Sequence, residues 1–311
     1  MYGALGETVT EKSGNLNLGV PGIMYLGGFA GFASAWAYEN TAANPSGAVS
    51  VVIALTCAIL ASMAGGLIYA FLTISLRANQ NVTGLALTTF GMGVANFFGV
   101  FILNGASYSA APIANKAFSA KIPVLSTLGG FGQVVFSYGF LVYAAIALAI
   151  ALHWFLTRTR AGLNLRAVGE NPATADAAGI NVTLYKYLAT CIGAGICGIG
   201  GLYYVLDYNQ GIWATTGQIE ALGWLAVALV IFTTWKPLNA IWGAYLFGML
   251  YWLYQFLPTL LGITMASHIT DLVQMLPYVV TIVVLIVVSM RKKKENQPPA
   301  HLGLAYFREE R

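Results

Sequence analysis

The chain has 311 residues and a mass of 33.1 kDa, with 58% hydrophobic and 8% charged residues, a formal net charge of +4 and a mean hydropathy of +0.72. A water-soluble domain carries about 25% charged residues, so this chain has too few charges to cover a folded surface in water. A collagen, a disordered segment, a disulfide scaffold and a nucleic-acid reader are excluded, and the solvent for which the sequence is written is the lipid bilayer.

Residues 1–19 are polar and lack the basic start and apolar run of a signal peptide. They read as the end of a helix running into a cytoplasmic turn, with one or two further apolar segments expected upstream. Apolar runs follow at 20–38, 48–75, 83–103, 131–156, 184–206, 221–234, 238–257 and 272–290. A helix needs about 20 apolar residues to cross the hydrocarbon core. The sequence therefore predicts an all-α, polytopic membrane protein of about eight transmembrane helices, a single domain over 1–290, with both termini on one side. Connections on that side hold Lys12, Arg77, Arg158, Arg160, Arg166, Lys186, Lys236, Arg291 to Lys294, Arg308 and Arg311, thirteen of the fifteen basic residues; the opposite set holds Lys116 and Lys121. Cytoplasmic connections carry the excess of Lys and Arg, so both termini are expected in the cytoplasm. The tail 291–311 is polar, contains Pro298 and Pro299, and reads as a solvated cytoplasmic appendage.

Glycine is abundant, at 35 residues, and helices in lipid associate through close backbone approach at small residues four apart. The fifth run shows this most clearly. Thr190, Gly193, Ala194, Cys197, Gly198 and Gly201 form one helical stripe, which predicts a helix–helix seam. The same stripe contains GxGxxG at Gly193, Gly195 and Gly198, but no strand precedes it, so a dinucleotide site is rejected. There is no GxxxxGK[ST], GxSxG or HExxH. Cys57, Cys191 and Cys197 lie in apolar runs and make no metal set with His153, His268 and His301. No cofactor, metal or catalytic group is expected, and the chain is not read as an enzyme.

The connection 157–183 is longer than a turn requires. It holds a short helix with both stops written in: Asn171 as N-cap, Pro172 at the first helical position, Ala173 to Ala178 as the body and Gly179 as the left-handed cap. So short a helix is not stable alone in water. Its alanines suit docking into a protein groove, whereas a helix lying on a bilayer needs bulky apolar residues. Arg166, Glu170 and Asp176 are candidates to fix register across such an interface, each weighed against an ordinary solvated charge.

The stretch Leu165-Arg166-Ala167-Val168-Gly169-Glu170-Asn171-Pro172, continued by Ala177-Ala178-Gly179-Ile180-Asn181-Val182, resembles the coupling-helix loop of ABC importer permeases of the ribose and branched-chain amino acid type. Gly6 to Gly14 with Asn17-Leu18-Gly19, Arg77 to Leu87, and Gly223-Trp224 through Trp235-Lys236-Pro237 are similar to other parts of the same group. The nucleoside branch fits best. Pro21 stands where the group often has an acid, and Leu222 where a small residue is usual. The resemblance implies about ten helices in the family, alternating access, and a bacterial inner-membrane location. It implies a separate cytoplasmic ABC ATPase subunit, a second permease subunit and an extracytoplasmic binding lipoprotein. The docking residues would be Arg166, Gly169, Glu170, Asn171, Pro172, Ala173, Asp176, Ala177 and Gly179.

A translocation path should show uncharged polar residues within spans. Thr88, Thr89, Asn96, Gln133 and Gln255 qualify, with Phe97, Phe98 and Trp224 as aromatic neighbours. The competing role is hydrogen bonding between helices, worth about 0.6 kcal/mol each. An ion-coupled carrier is the rival class, but it usually needs intramembrane ionisable groups or broken helices in paired repeats. The long outer connections 104–130 and 207–220 are candidates for receiving the binding protein, with Tyr108, Asp207, Tyr208 and Trp213 readable equally as anchors at the membrane interface.

Overall fold

A computed structural model describes residues 1–102, 109–121, 136–213, 217–262, 273, 275–291 and 297–307. The helices are α1 (Tyr2–Glu11), α2 (Val20–Thr41), α3 (Gly47–Ala70), α4 (Gln80–Ile102), α5 (Pro112–Phe118), α6 (Phe140–Arg158), α7 (Arg160–Glu170), α8 (Pro172–Ala177), α9 (Val182–Tyr203), α10 (Gln218–Phe232), α11 (Pro237–Leu261) and α12 (Leu276–Arg291). One π-helical turn extends α3 over Phe71–Ser75, and another extends α9 over Tyr204–Tyr208. Each of the eight apolar runs carries a helix. Among the described residues four helices are long and apolar enough to cross a membrane: Gly47–Ser75, Gln80–Phe101, Phe140–Arg158 and Val182–Tyr208. The chain is an all-α, multi-pass membrane protein.

The seam predicted in the fifth run lies at the centre of the bundle, where α9 packs against α1, α2 and α3. A Cβ added at Gly193 would strike the carbonyl of Gly6 and the hydroxyl of Thr10; at Gly198 it would strike Ser62; at Gly201, the carbonyl of Met24. The α1 helix runs through this interior and is buried on every side. Across the other face of α2, Gly91 of α4 lies against the backbone of Gly22. Pro21 and Gly223 meet directly, so position 21 sits on the α10 interface.

Three expectations change. The fourth helix begins at Phe140, because Gly139 is extended (ψ 156°) and the residues just before it are not helical. The 157–183 connection holds two helices, since Thr159 breaks α6 and its side chain accepts from the Gly162 N–H at 3.0 Å to start α7. The tail is not a solvated appendage over its described part. Pro299 is buried, the His301 and Gly303 N–H groups donate to the carbonyls of Gly169 (3.0 Å) and Gly14 (3.1 Å), and the Arg77 guanidinium lies 4.5 Å over the Phe307 ring.

At the opposite end Ser109 and Ala110 (β1) pair antiparallel with Trp213 and Ile212 (β2). The Glu39 carboxylate accepts from the N–H groups of Ile113 (3.1 Å) and Ala114 (2.6 Å), and the Asn115 amide donates to the Leu206 carbonyl at 2.9 Å. The described parts of the connections 104–130 and 207–220 are thereby joined. Trp213 is 3% exposed and packs on Tyr25, Phe29 and Phe32, so it is a core residue and not a membrane-interface anchor.

Candidate functional site

The α8 helix is built as its sequence predicts. Asn171 is extended (φ −151°, ψ 92°), its side-chain oxygen accepts from the Thr174 N–H at 3.0 Å, and Pro172 occupies the first turn. Such a cap contributes about 1 kcal/mol. The helix ends one residue earlier than expected, at Ala177. Gly179 then takes φ +82°, and the N–H groups of Gly179 and Ile180 close back on the carbonyls of Asp176 and Ala175, both at 3.0 Å. Asn181 immediately caps α9 by accepting from the Leu184 N–H at 3.0 Å.

This unit has its own small core. Val168, Ala175 and Val182 are buried together, with Ile180, Tyr185 and Tyr306 against them. The Tyr185 hydroxyl accepts from the Asn164 amide at 3.0 Å. Gly169 lets the loop press on the turn after α1, since a Cβ there would strike the Lys12 carbonyl. Burial first, and then the Arg166 guanidinium, push the Lys12 ammonium pKa down, while Glu170 and Glu11 oppose the shift. Glu170 accepts from the Ala300 N–H at 3.4 Å and Asp176 from the Tyr306 hydroxyl at 3.0 Å. Two of the three charges expected to set register across an interface therefore contact the chain's own tail, and Arg166 is exposed.

Of the nine loop residues singled out, Gly169 and Pro172 are buried, Ala173 and Asp176 are half-buried, and Arg166, Glu170, Asn171, Ala177 and Gly179 are exposed. With Thr174 and Ala178, the last three make a surface of methyls and backbone at the tip of the loop. A Cβ at Gly179 would meet nothing within 4 Å. A surface this smooth admits close approach by another protein and offers no bulky apolar group to lipid.

The buried polar cluster beneath the loop was not anticipated. Glu7 and Glu11 lie one helical turn apart and are both buried. Glu7 accepts from the Asn17 N–H at 3.0 Å, Glu11 accepts from the Trp235 indole, and the Tyr69 hydroxyl donates to the Leu16 carbonyl. These bonds tie the turn after α1 to α3 and to the turn between α10 and α11. The i, i+4 spacing of the two acids was the available signal, masked because the segment reads as a polar turn.

The path candidates are not gathered into one place. Thr88 is buried and its hydroxyl donates to the Leu18 carbonyl at 3.0 Å, a helix–helix bond. On the outward face of α4, Phe97 is 65% exposed and stacks on Phe101, with Thr89 and Phe98 also exposed. Asn96 is half-buried, and its side-chain oxygen is buried without a hydrogen-bond partner among the described residues. Trp224 is half-buried on α10. Gln133, Tyr108 and the side chain of Gln255 lie outside the described residues. An apolar cavity of about 370 Å³ sits elsewhere, between α6, α9, α10 and α11, lined by Tyr203, Tyr204, Leu222, Tyr245 and Trp252 among others and not by Thr88, Thr89, Asn96, Phe97, Phe98 or Trp224.

Residues 2–287 match the family described as the branched-chain amino acid transport system permease component. The chain is 35% identical over 255 residues to the putative glucose ABC transporter permease protein TsgC13 of Haloferax volcanii, covering 80% of this chain and 71% of that protein. It is 33% identical over 253 residues to the guanosine ABC transporter permease protein NupQ of Bacillus subtilis, covering 79% and 75%. It is 30% identical over 287 residues to the nucleoside ABC transporter permease protein NupC of Lactococcus lactis, covering 92% and 87%. No solved structure matches the chain. The chain belongs to this permease family and is a membrane-spanning subunit of an ABC importer, a transport component and not an enzyme, which works with an ATPase and a substrate-binding protein.

Proposed function

We propose that the chain carries nucleosides inward across a bacterial plasma membrane, with α8 seated in a groove of a cytoplasmic ABC ATPase subunit. The observation that carries the docking is the exposed tip of α8, capped at both ends and surfaced by Ala177, Ala178 and Gly179. Closure of the ATPase dimer would push α8. Because α7, α8 and α9 share a core, the push would pass to α6 and α9 and tilt them. Both termini and the 157–183 loop would be cytoplasmic, as the thirteen-to-two distribution of basic residues requires. A second permease subunit would complete the pore. An external lipoprotein would deliver the cargo to the joined outer connections, and Asn96, Phe97, Trp224, Gln133 and Gln255 are path candidates. Nucleoside is favoured by NupQ and NupC. A simple sugar is the second reading, favoured by TsgC13.

Reconstitution with the cognate ATPase and binding lipoprotein tests this reading. ATP-dependent uptake of radiolabelled guanosine, unaffected by excess glucose or leucine, is the expected result. Uptake of glucose in preference to guanosine would transfer the function to the sugar reading. Uptake driven by an ion gradient with no ATP would overturn both.

A further inference from the structure

A second cavity, of about 610 Å³, opens between the end of α3, the start of α9 and the tail. Its lining is unlike the rest of the molecule. Lys186 faces it while only 3% exposed, and its ammonium has no hydrogen-bond or ion-pair partner among the described residues. An unpaired buried ammonium is costly, so the site is built to receive an acceptor. The first turn of α9, at Val182 and Thr183, lines the same space. The N-terminus of a 22-residue helix adds a positive end and favours anions. Arg77 stands exposed at the rim. Among the described lining residues the one acid is Asp176, whose carboxylate accepts from Tyr306. A further wall residue, Asn15, has a buried side-chain oxygen with no hydrogen-bond partner among the described residues, while its amide donates to Thr190 at 3.1 Å. The cavity thus presents one buried ammonium without a partner and a helix N-terminus, with a guanidinium that also lies over Phe307 at its rim.

We propose that this cavity binds a phosphate ester, with phosphate oxygens on Lys186, Arg77 and the first turn of α9. A phosphate suits the site better than a carboxylate because it offers more charge-bearing acceptor oxygens to an ammonium, a guanidinium and a helix N-terminus. Two sources carry this chemistry: a soluble sugar phosphate or nucleotide, and the headgroup of phosphatidylglycerol. Leu304 and Tyr306 of the tail, Asp176 of α8 and Gly179 just after it form parts of the wall. Occupancy would therefore fasten the tail to the coupling loop and bias its position.

The test uses the full chain in phosphatidylcholine nanodiscs, wild type beside Lys186→Met, which keeps the stem and removes the charge. Titration with ribose 5-phosphate should saturate the wild type and be weakened at least tenfold in the variant, with ribose inert to both; this result assigns the soluble source. A rise in melting temperature on adding phosphatidylglycerol to the discs, seen in the wild type and lost in Lys186→Met, assigns the lipid source. Equal responses of the two proteins, or no response to either phosphate, overturn the proposal. Should Lys186→Met fail to fold, Arg77→Gln at the exposed rim replaces it. Weakened phosphate binding then supports the site, and unchanged binding overturns it. Because the permease is tested alone, failure here leaves the nucleoside reading untouched.

Discussion

At Gly198 an added Cβ would strike the Ser62 side chain and lie 3.1 Å from the carbonyl of Ala58, whereas at Gly179 it would meet nothing within 4 Å. Both positions belong to runs rich in glycine and alanine, yet they do opposite work. In α9 the small residues let α1, α2 and α3 close on α9, and their role ends inside the chain. In α8 the small residues end at the surface, where the proposed contact with the ATPase would form. Small side chains at helical spacing signify close approach; burial decides which partner approaches.

Four substitutions break or sharpen that contrast. Gly198→Leu should have the largest effect, because the added side chain has no space between α9 and α3; overpacking there costs about 3 kcal/mol or more. The expected outcome is loss of monodisperse protein after detergent extraction, measured by size-exclusion chromatography. Ala177→Arg adds bulk on the open side. Its melting temperature should stay near that of the wild type, as surface changes typically alter stability by less than about 0.5 kcal/mol. ATPase association should weaken by about 2 kcal/mol, roughly thirtyfold, with uptake lost. Next comes Gly179→Val, which forces a β-branched residue to a positive φ at about 1–2 kcal/mol. It should lower activity and loosen the loop, read as faster hydrogen exchange over 172–182. The smallest effect belongs to Tyr306→Phe, which removes the hydroxyl bonded to Asp176 at about 1 kcal/mol. It should free the tail, measured as faster proteolysis after residue 297, and leave membrane insertion unchanged.

The legible and illegible parts of the molecule differ in what carries them. The α9 seam and the α8 caps could be read because side-chain identity sets both: small residues at period four, Asn171 and Pro172 at one end, Gly179 at the other. The docked tail could not be read, because it is held by backbone donors on the carbonyls of Gly169 and Gly14, which leave no pattern in side chains. The α7 helix was hidden in a connection whose polar residues resemble a solvated loop, and its start depends on one threonine. Trp213 was read as a surface aromatic because its neighbours in sequence are polar, whereas its neighbours in space are Phe29 and Phe32. In sequence Glu7 and Glu11 stand among polar residues, whereas in space both are buried and bonded, Glu7 to the Asn17 N–H and Glu11 to the Trp235 indole. The resemblance located the loop but could not show that Glu170 and Asp176 face the tail.

The most direct test of the central claim is a crosslink from α8 to the ATPase. Cys57, Cys191 and Cys197 are first replaced, and one cysteine is introduced at Ala177, with Lys116→Cys on the outer α5 helix as the control. In membranes containing the assembled transporter, a short thiol–amine crosslinker should join position 177 to the ATPase subunit and leave position 116 free. The yield at 177 should change when ATP is added. A crosslink from 116 and none from 177, or equal labelling of both positions by an impermeant reagent outside intact cells, would contradict the assignment of α8 as the coupling helix.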